Sequence, residues 1–205
     1  MIPKSGPPIG HVSDPSAGGG KAMRRFLGIF LAAMAVYYAL TLSPWVDANL
    51  LYPVMKASAH GTSVLLKLIG INTTVEGVVV RGPAYSMTVR RGCDPLDPLA
   101  LFAAGLFSFP APGRYRLAGL AVGSAFLFGL NLTRLVSLYL LGARKSSWFE
   151  SLHLWWWPAF FMICTLALWV LWLRWVQRSS LATKSVAVMA LETAKPLISS
   201  LRGKS

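Results

Sequence analysis

Cys93 stands in the stretch Val89-Arg90-Arg91-Gly92-Cys93-Asp94-Pro95-Leu96-Asp97-Pro98, where polar, strand-like sequence gives way to an apolar run. Free cysteines are ordinarily small buried hydrophobes. This one has arginines and a glycine before it, two aspartates and two prolines after it, and a span beyond. A charged setting at a membrane edge is where a thiol can ionise and serve as a nucleophile. The second candidate is Arg134, inside the apolar run 117–141 and seven residues from its end. At helical rise that places it about 10 Å below the nearer interface. An arginine at span centre costs about 2.5–3.5 kcal/mol on insertion scales, and somewhat less near an edge. Snorkelling to the headgroups would explain it by itself. Asn131, one turn away on the same face, argues instead for a polar cavity. The third candidate is His153, which opens the last apolar run after Glu150 and before Trp155-Trp156-Trp157.

A thiol, an imidazole and a guanidinium at similar depth have a definite use. The histidine and the arginine favour the thiolate, the thiolate attacks a carbonyl carbon, and the arginine can stabilise the oxyanion that forms. That is acyl-transfer chemistry. The aspartates enter in two ways. An anion at Asp94 would oppose thiolate formation if close to the sulfur, while Asp94 or Asp97 could orient His153 as the third member of a triad does.

The elements that must position these residues are those of a membrane protein. Hydrophobic residues make up 55% of the 205 positions and charged residues only 13%, with the charges lying between long apolar runs. This composition excludes an ordinary soluble domain. The expected fold is mainly α, with about four transmembrane helices at 26–43, 96–109, 117–141 and 153–175. An amphipathic helix is expected over 45–69, lying in the interface. Lys56, His60, Ser63 and Lys67 recur on its polar side and Leu51, Met55, Thr62, Leu65, Leu66 and Ile69 on the other. A small extracytoplasmic β-hairpin is expected over 73–90, turning at Gly82-Pro83. Residues 1–22 read as a disordered cytoplasmic tail and 176–205 as a basic cytoplasmic tail with a weak surface helix, leaving 23–175 as the membrane domain. The run after Arg24-Arg25 lacks an Ala-x-Ala cleavage site, so it reads as a retained span. Trp155 to Trp157 at one end of the last span, and Trp172 and Trp175 at the other, read as interfacial belts.

The net charge of +13 is spread over the ends of the apolar runs rather than gathered in one patch, which fits topology better than a nucleic-acid partner. The N-terminal basic flank, the Arg114/Arg116 turn and the C-terminal basic flank fall on one side, read as cytoplasmic; the loop with Arg144 and Lys145 dissents. Cys93, Arg134 and His153 then share the exterior side. Cys164 lies eleven residues into the last span, about 16 Å deep, too far from Cys93 for a disulfide.

The order Gly92-Cys93 before one span, Asn131-Leu-Thr-Arg134 within the next, and His153 at the start of the last resembles the exosortase/archaeosortase family of membrane-embedded cysteine transpeptidases. The Arg-Arg-Phe-Leu start of the first span and the Val75-Glu76-Gly77 hairpin look most like the compact exosortase H subgroup. The resemblance covers about residues 23–175. It implies an enzyme of the bacterial inner membrane, with its active site facing the periplasm. The substrates would be secreted proteins ending in a short motif, a transmembrane helix and a basic cluster, cut near the motif and passed to an acceptor nucleophile. By position it makes Cys93 the nucleophile, His153 the general base and acid, and Arg134 the oxyanion-stabilising or substrate-orienting cation, with Asn131 in support. One departure stands out: the family usually follows its cysteine with a small polar residue and glycine, and here Asp94-Pro95 follows. The alternative is therefore a catalytically weak or inactive relative acting as a membrane binding or assembly factor. A transporter is disfavoured, since one intramembrane charge offers no paired ion pathway and no inverted repeat is seen. No zinc-ligand spacing, phosphate-binding loop or nucleic-acid module is present in the sequence, and no metal or cofactor is expected.

Overall fold

The computed structural model describes residues 15–202, with side chains from 20 to 179. Helix α1 (Pro15–Thr41) is followed by α2 (Pro44–Val46), a π-helical segment Asp47–Leu51 and α3 (Tyr52–Leu68). Three short strands come next, β1 (Thr74–Glu76), β2 (Val79–Arg81) and β3 (Ser86–Thr88). Then follow α4 (Leu96–Ser108), α5 (Gly113–Ala143), α6 (Trp148–Ser151), a second π-helical segment Leu152–Trp156 and α7 (Trp157–Arg202). Among the described residues, Gly20–Thr41, Gly113–Ala143 and Trp148–Ser179 are long and apolar enough to cross a membrane. Helix α4, with 13 residues, is about 20 Å long against a hydrocarbon layer of about 30 Å. The chain is a mainly α, multi-pass membrane protein.

Both tails differ from expectation where they are described. The tail expected over 1–22 lies outside the described residues up to position 14, and from Pro15 onward it is helix, including Gly18-Gly19-Gly20. Proline suits a first helical turn, where its missing N–H costs nothing. The expected break after position 175 is absent, and α7 runs 46 residues without interruption to Arg202.

The expected hairpin gains a strand. Gly77 adopts φ +61°, which a side chain rarely tolerates, and the chain reverses there as well as near Gly82-Pro83. The result is an antiparallel meander with Val75 opposite Val80 and Val80 opposite Met87. Val80 is fully buried beneath α3. The polar face expected for α3 is also redrawn. Ser63 is buried with Ser58 and Thr62, and its hydroxyl lies 2.8 Å from that of Thr73, joining α3 to the sheet. Ile69, expected on the buried side, is exposed. Helix α3 packs against α5 through Gly61, where a Cβ would come within 2.9 Å of Leu132, and so a polar strip is enclosed instead of facing headgroups. His60 is exposed as expected.

Large rings seated against glycines hold α4, α5 and α7 together, as small residues do at helix contacts in lipid. Gly105 receives the Trp169 indole, Gly119 that of Trp172 and Gly123 the Phe102 ring. Trp172 is therefore no belt residue. It is 5% exposed and donates from its indole nitrogen to the Tyr115 carbonyl at 2.9 Å, whereas Trp155, at 75% exposure, faces outward as expected. Substituting Gly123→Leu should lower stability by about 1–3 kcal/mol, because Phe102 is buried and cannot retreat. Thermal unfolding in detergent reads the loss. Gly129→Ala, with nothing near its Cβ, is the unaffected control.

Two apolar clusters result. One gathers the sheet, α3 and the last turns of α5 around Val80, Leu135, Leu138 and Tyr139. The other gathers α4, α5 and α7 around Phe102, Leu127, Phe161 and Trp172. Cys93 packs against the first, Phe161 belongs to the second, and Trp157 touches both.

Candidate active site

The turn carrying Cys93 is built by its own backbone. Val89 still pairs with the sheet, its N–H donating to the Val78 carbonyl at 2.9 Å. The Cys93 N–H then donates back to the Arg90 carbonyl at 2.9 Å. Gly92 takes φ +80°, the left-handed region that favours glycine. Asp94, 7% exposed, closes the turn: its carboxylate accepts from the Gly92 N–H at 3.2 Å and the Leu96 N–H at 3.0 Å. The latter is an unpaired donor of the first turn of α4, so Asp94 also serves as a helix-start anion. Burial pushes its carboxyl above the ordinary carboxylate range and the Leu96 N–H opposes this; the charge of Asp97 raises it further. Proline at 95 suits this junction, since a helix-start residue needs no N–H. The pair Asp94-Pro95 thus caps α4 and fixes the loop before it. Outside this turn, an exposed ion pair joins Arg91 to Asp47 at 2.7 Å.

Arg134 reaches this turn from α5. Its Nη1 donates to the Gly92 carbonyl at 2.9 Å, and its guanidinium carbon lies 5.8 Å from the Phe161 ring centroid, a cation–π approach from α7. The residue is 6% exposed. Its Nε is buried with no hydrogen-bond partner. Arg134 lies 21 residues beyond Gly113, about 31 Å at helical rise, which already equals a hydrocarbon thickness. The remaining turns of α5 hold the sheet, with Tyr139 edge-on to Tyr85 at 5.6 Å.

His153 lies within the π-helical segment that precedes α7. Such a segment re-aims side chains and is common at functional sites. Its ring stacks on Phe149 at 5.9 Å, and its Nδ1 is buried without a partner. Cys93, Asp94 and His153 all lie near enough to Arg134 to interact with its charge. The fold therefore gathers them around one guanidinium, although no hydrogen bond joins Cys93 to His153.

A cavity of about 240 Å³ opens beside the turn, walled by Arg134, Gly92, Asp94 and Asp97 at its polar side and by residues such as Leu101 and Phe161 elsewhere. Cys93 and His153 are not part of its wall. Asp97 accepts a hydrogen bond from the Tyr37 hydroxyl of α1 at 2.7 Å. Neither aspartate hydrogen-bonds to His153: Asp94 is engaged by the Gly92 and Leu96 N–H groups and Asp97 by Tyr37, in place of the expected triad-like orientation. Asn131 faces elsewhere too: fully buried, it donates to the Ser58 hydroxyl on α3 at 3.5 Å, and its Oδ1 has no partner. Its part is to tie α3 to α5, three residues before the arginine.

Sequence reasoning missed Tyr37 and Phe161, which read as ordinary span residues, and Ser137, whose hydroxyl accepts from the Trp157 indole at 3.1 Å. The one available signal was the polar hydroxyl of a tyrosine in mid-span.

No curated protein and no solved structure matches this chain. Residues 17–170 match the family model described as transmembrane exosortase. The matched segment runs from α1 into α7, taking in the Cys93 turn, Arg134 and His153, and the chain belongs to the transmembrane exosortase family.

Proposed function

We propose that this protein is a membrane-embedded cysteine transpeptidase or protease that removes a C-terminal sorting signal from secreted proteins at the exterior face of the bacterial cytoplasmic membrane. The observation that carries the reading is the buried Arg134, which donates to the carbonyl of Gly92, the residue before Cys93, and holds an unpartnered Nε. The Cys93 N–H is already engaged within its turn, so the carbonyl oxyanion formed when the sulfur adds to the scissile carbon would find its donor in the guanidinium. In the first step His153 takes the thiol proton, the sulfur bonds to the scissile carbonyl carbon, and the C–N bond breaks as the proton passes to the leaving amine. A thioester remains. In the second step an acceptor nucleophile, or water, gives a proton to His153 and attacks the thioester, releasing the Cys93 sulfur. The substrate signal would be a short motif, a transmembrane helix and a basic cluster. The exterior orientation rests on the basic residues Lys21, Arg25, Arg114 and Arg116 at the end of the bundle away from Cys93.

A second reading draws on the missing Cys93–His153 hydrogen bond: a weak or inactive relative that binds signal-bearing proteins without cutting them. One experiment separates the two. The protein is co-expressed, in a host lacking exosortases, with a secreted protein from the same genome that carries such a signal. Loss of the C-terminal helix from the reporter is the expected result. A reporter that co-purifies uncut with correctly inserted protein would overturn the enzymatic reading in favour of the binding one.

A further inference from the structure

At the end of the bundle remote from Cys93, a second cavity of about 670 Å³ lies between the start of α1, the end of α4, the start of α5 and α7. Three cations face it, Lys21, Arg25 and Arg116, and no acidic residue lines it. Among the described residues the ion pairs are Arg81 with Glu76 and Arg91 with Asp47, so none of the three has a carboxylate partner. Arg116 is anchored by one nitrogen, its Nη2 donating to the Phe109 carbonyl at 2.9 Å, while its Nε is buried without a partner. The Trp169 indole, also in the wall, turns its nitrogen edge onto Gly105 of α4. Three unpaired cations, one of them with a guanidinium N–H that has no partner, call for an anion with several acceptor oxygens. The remaining wall is apolar, with Phe26 and Phe107, and the bilayer edge is where headgroup phosphates lie.

We infer that this cavity is a binding site for the headgroup phosphate of an anionic phospholipid, with the acyl chains against the aromatic wall. The site is independent of the reaction at Cys93. A basic pocket between spans recognises such headgroups by charge and hydrogen bonding together. The apolar wall favours a lipid over free phosphate.

The full chain in neutral detergent is titrated with dioleoylphosphatidylglycerol, dioleoylphosphatidylcholine and inorganic phosphate, with thermal stability as the readout, since a ligand of the folded state raises its midpoint. Phosphatidylglycerol should stabilise the protein saturably, and the other two should not. The double substitution Lys21→Gln, Arg25→Gln alters exposed side chains and should weaken phosphatidylglycerol binding on the order of tenfold. A charge-matched control, Lys56→Gln, Lys67→Gln, should bind as wild type. Equal stabilisation by both lipids, wild-type binding by the double variant, or equal weakening in the control would overturn the site. Binding of inorganic phosphate as tight as that of phosphatidylglycerol would overturn its assignment to a lipid.

Discussion

Cys93→Ala is expected to abolish signal cleavage, lowering the rate by about 10³-fold or more, since no neighbouring group can replace a covalent nucleophile. The protein itself should remain folded and inserted. Cys93 is half-buried and unpaired, and the turn around it is held by backbone groups: its own N–H on Arg90, Gly92 on Arg134 and Asp94 on Leu96. Alanine preserves every one of these bonds, so the stability change should stay within about 1 kcal/mol. The measurement is the ratio of full-length to shortened reporter in cells, with thermal unfolding of the purified variant beside it. Wild-type protein given substrate without an acceptor should instead accumulate a thioester at Cys93, visible as a mass increase that hydroxylamine removes. Undiminished cleavage by the alanine variant would rule out the acyl-enzyme.

Arg134→Lys should cost about 10²–10³-fold in turnover, the scale of losing one preorganised oxyanion donor. The guanidinium uses Nη1 on the Gly92 carbonyl and lies near the Phe161 ring, which leaves Nε open. An ammonium can satisfy the carbonyl or the oxyanion, but it has no planar fork with which to hold both. Lysine still carries the charge, so a residue that only snorkels to headgroups would tolerate this exchange. The two roles therefore separate cleanly: unchanged turnover in the Arg134→Lys variant would reduce the arginine to an anchor. A fall in turnover with unchanged unfolding temperature would mark it as acting on the reaction.

The spans and their order were legible in the chain, and the three candidate residues could be picked out, because each leaves a local trace. Apolar runs mark the helices, and an arginine in such a run, a histidine at its edge and a cysteine between charges stand out against lipid-compatible sequence. The strip on α3 was misread for the opposite reason. Ser63 looks solvent-facing in sequence, yet burial against Thr73 satisfies its hydroxyl, and hydrogen bonding of that sort depends on partners distant in the chain. Trp172 was misplaced for a related cause, since only Gly119 on another helix provides the recess that buries it.

Sequence alone determined a mainly α membrane protein with a thiol, a guanidinium and an imidazole at corresponding span ends, because hydropathy and charge act residue by residue. Only the tertiary structure decided what these groups touch. It sent Asn131 to Ser58, Asp97 to Tyr37 and Asp94 to the start of α4. It also brought Arg134 onto the carbonyl of Gly92. Those pairings follow from helix rotation, the left-handed turn at Gly92 and the π-helical segment at His153, each set by packing between elements far apart in sequence.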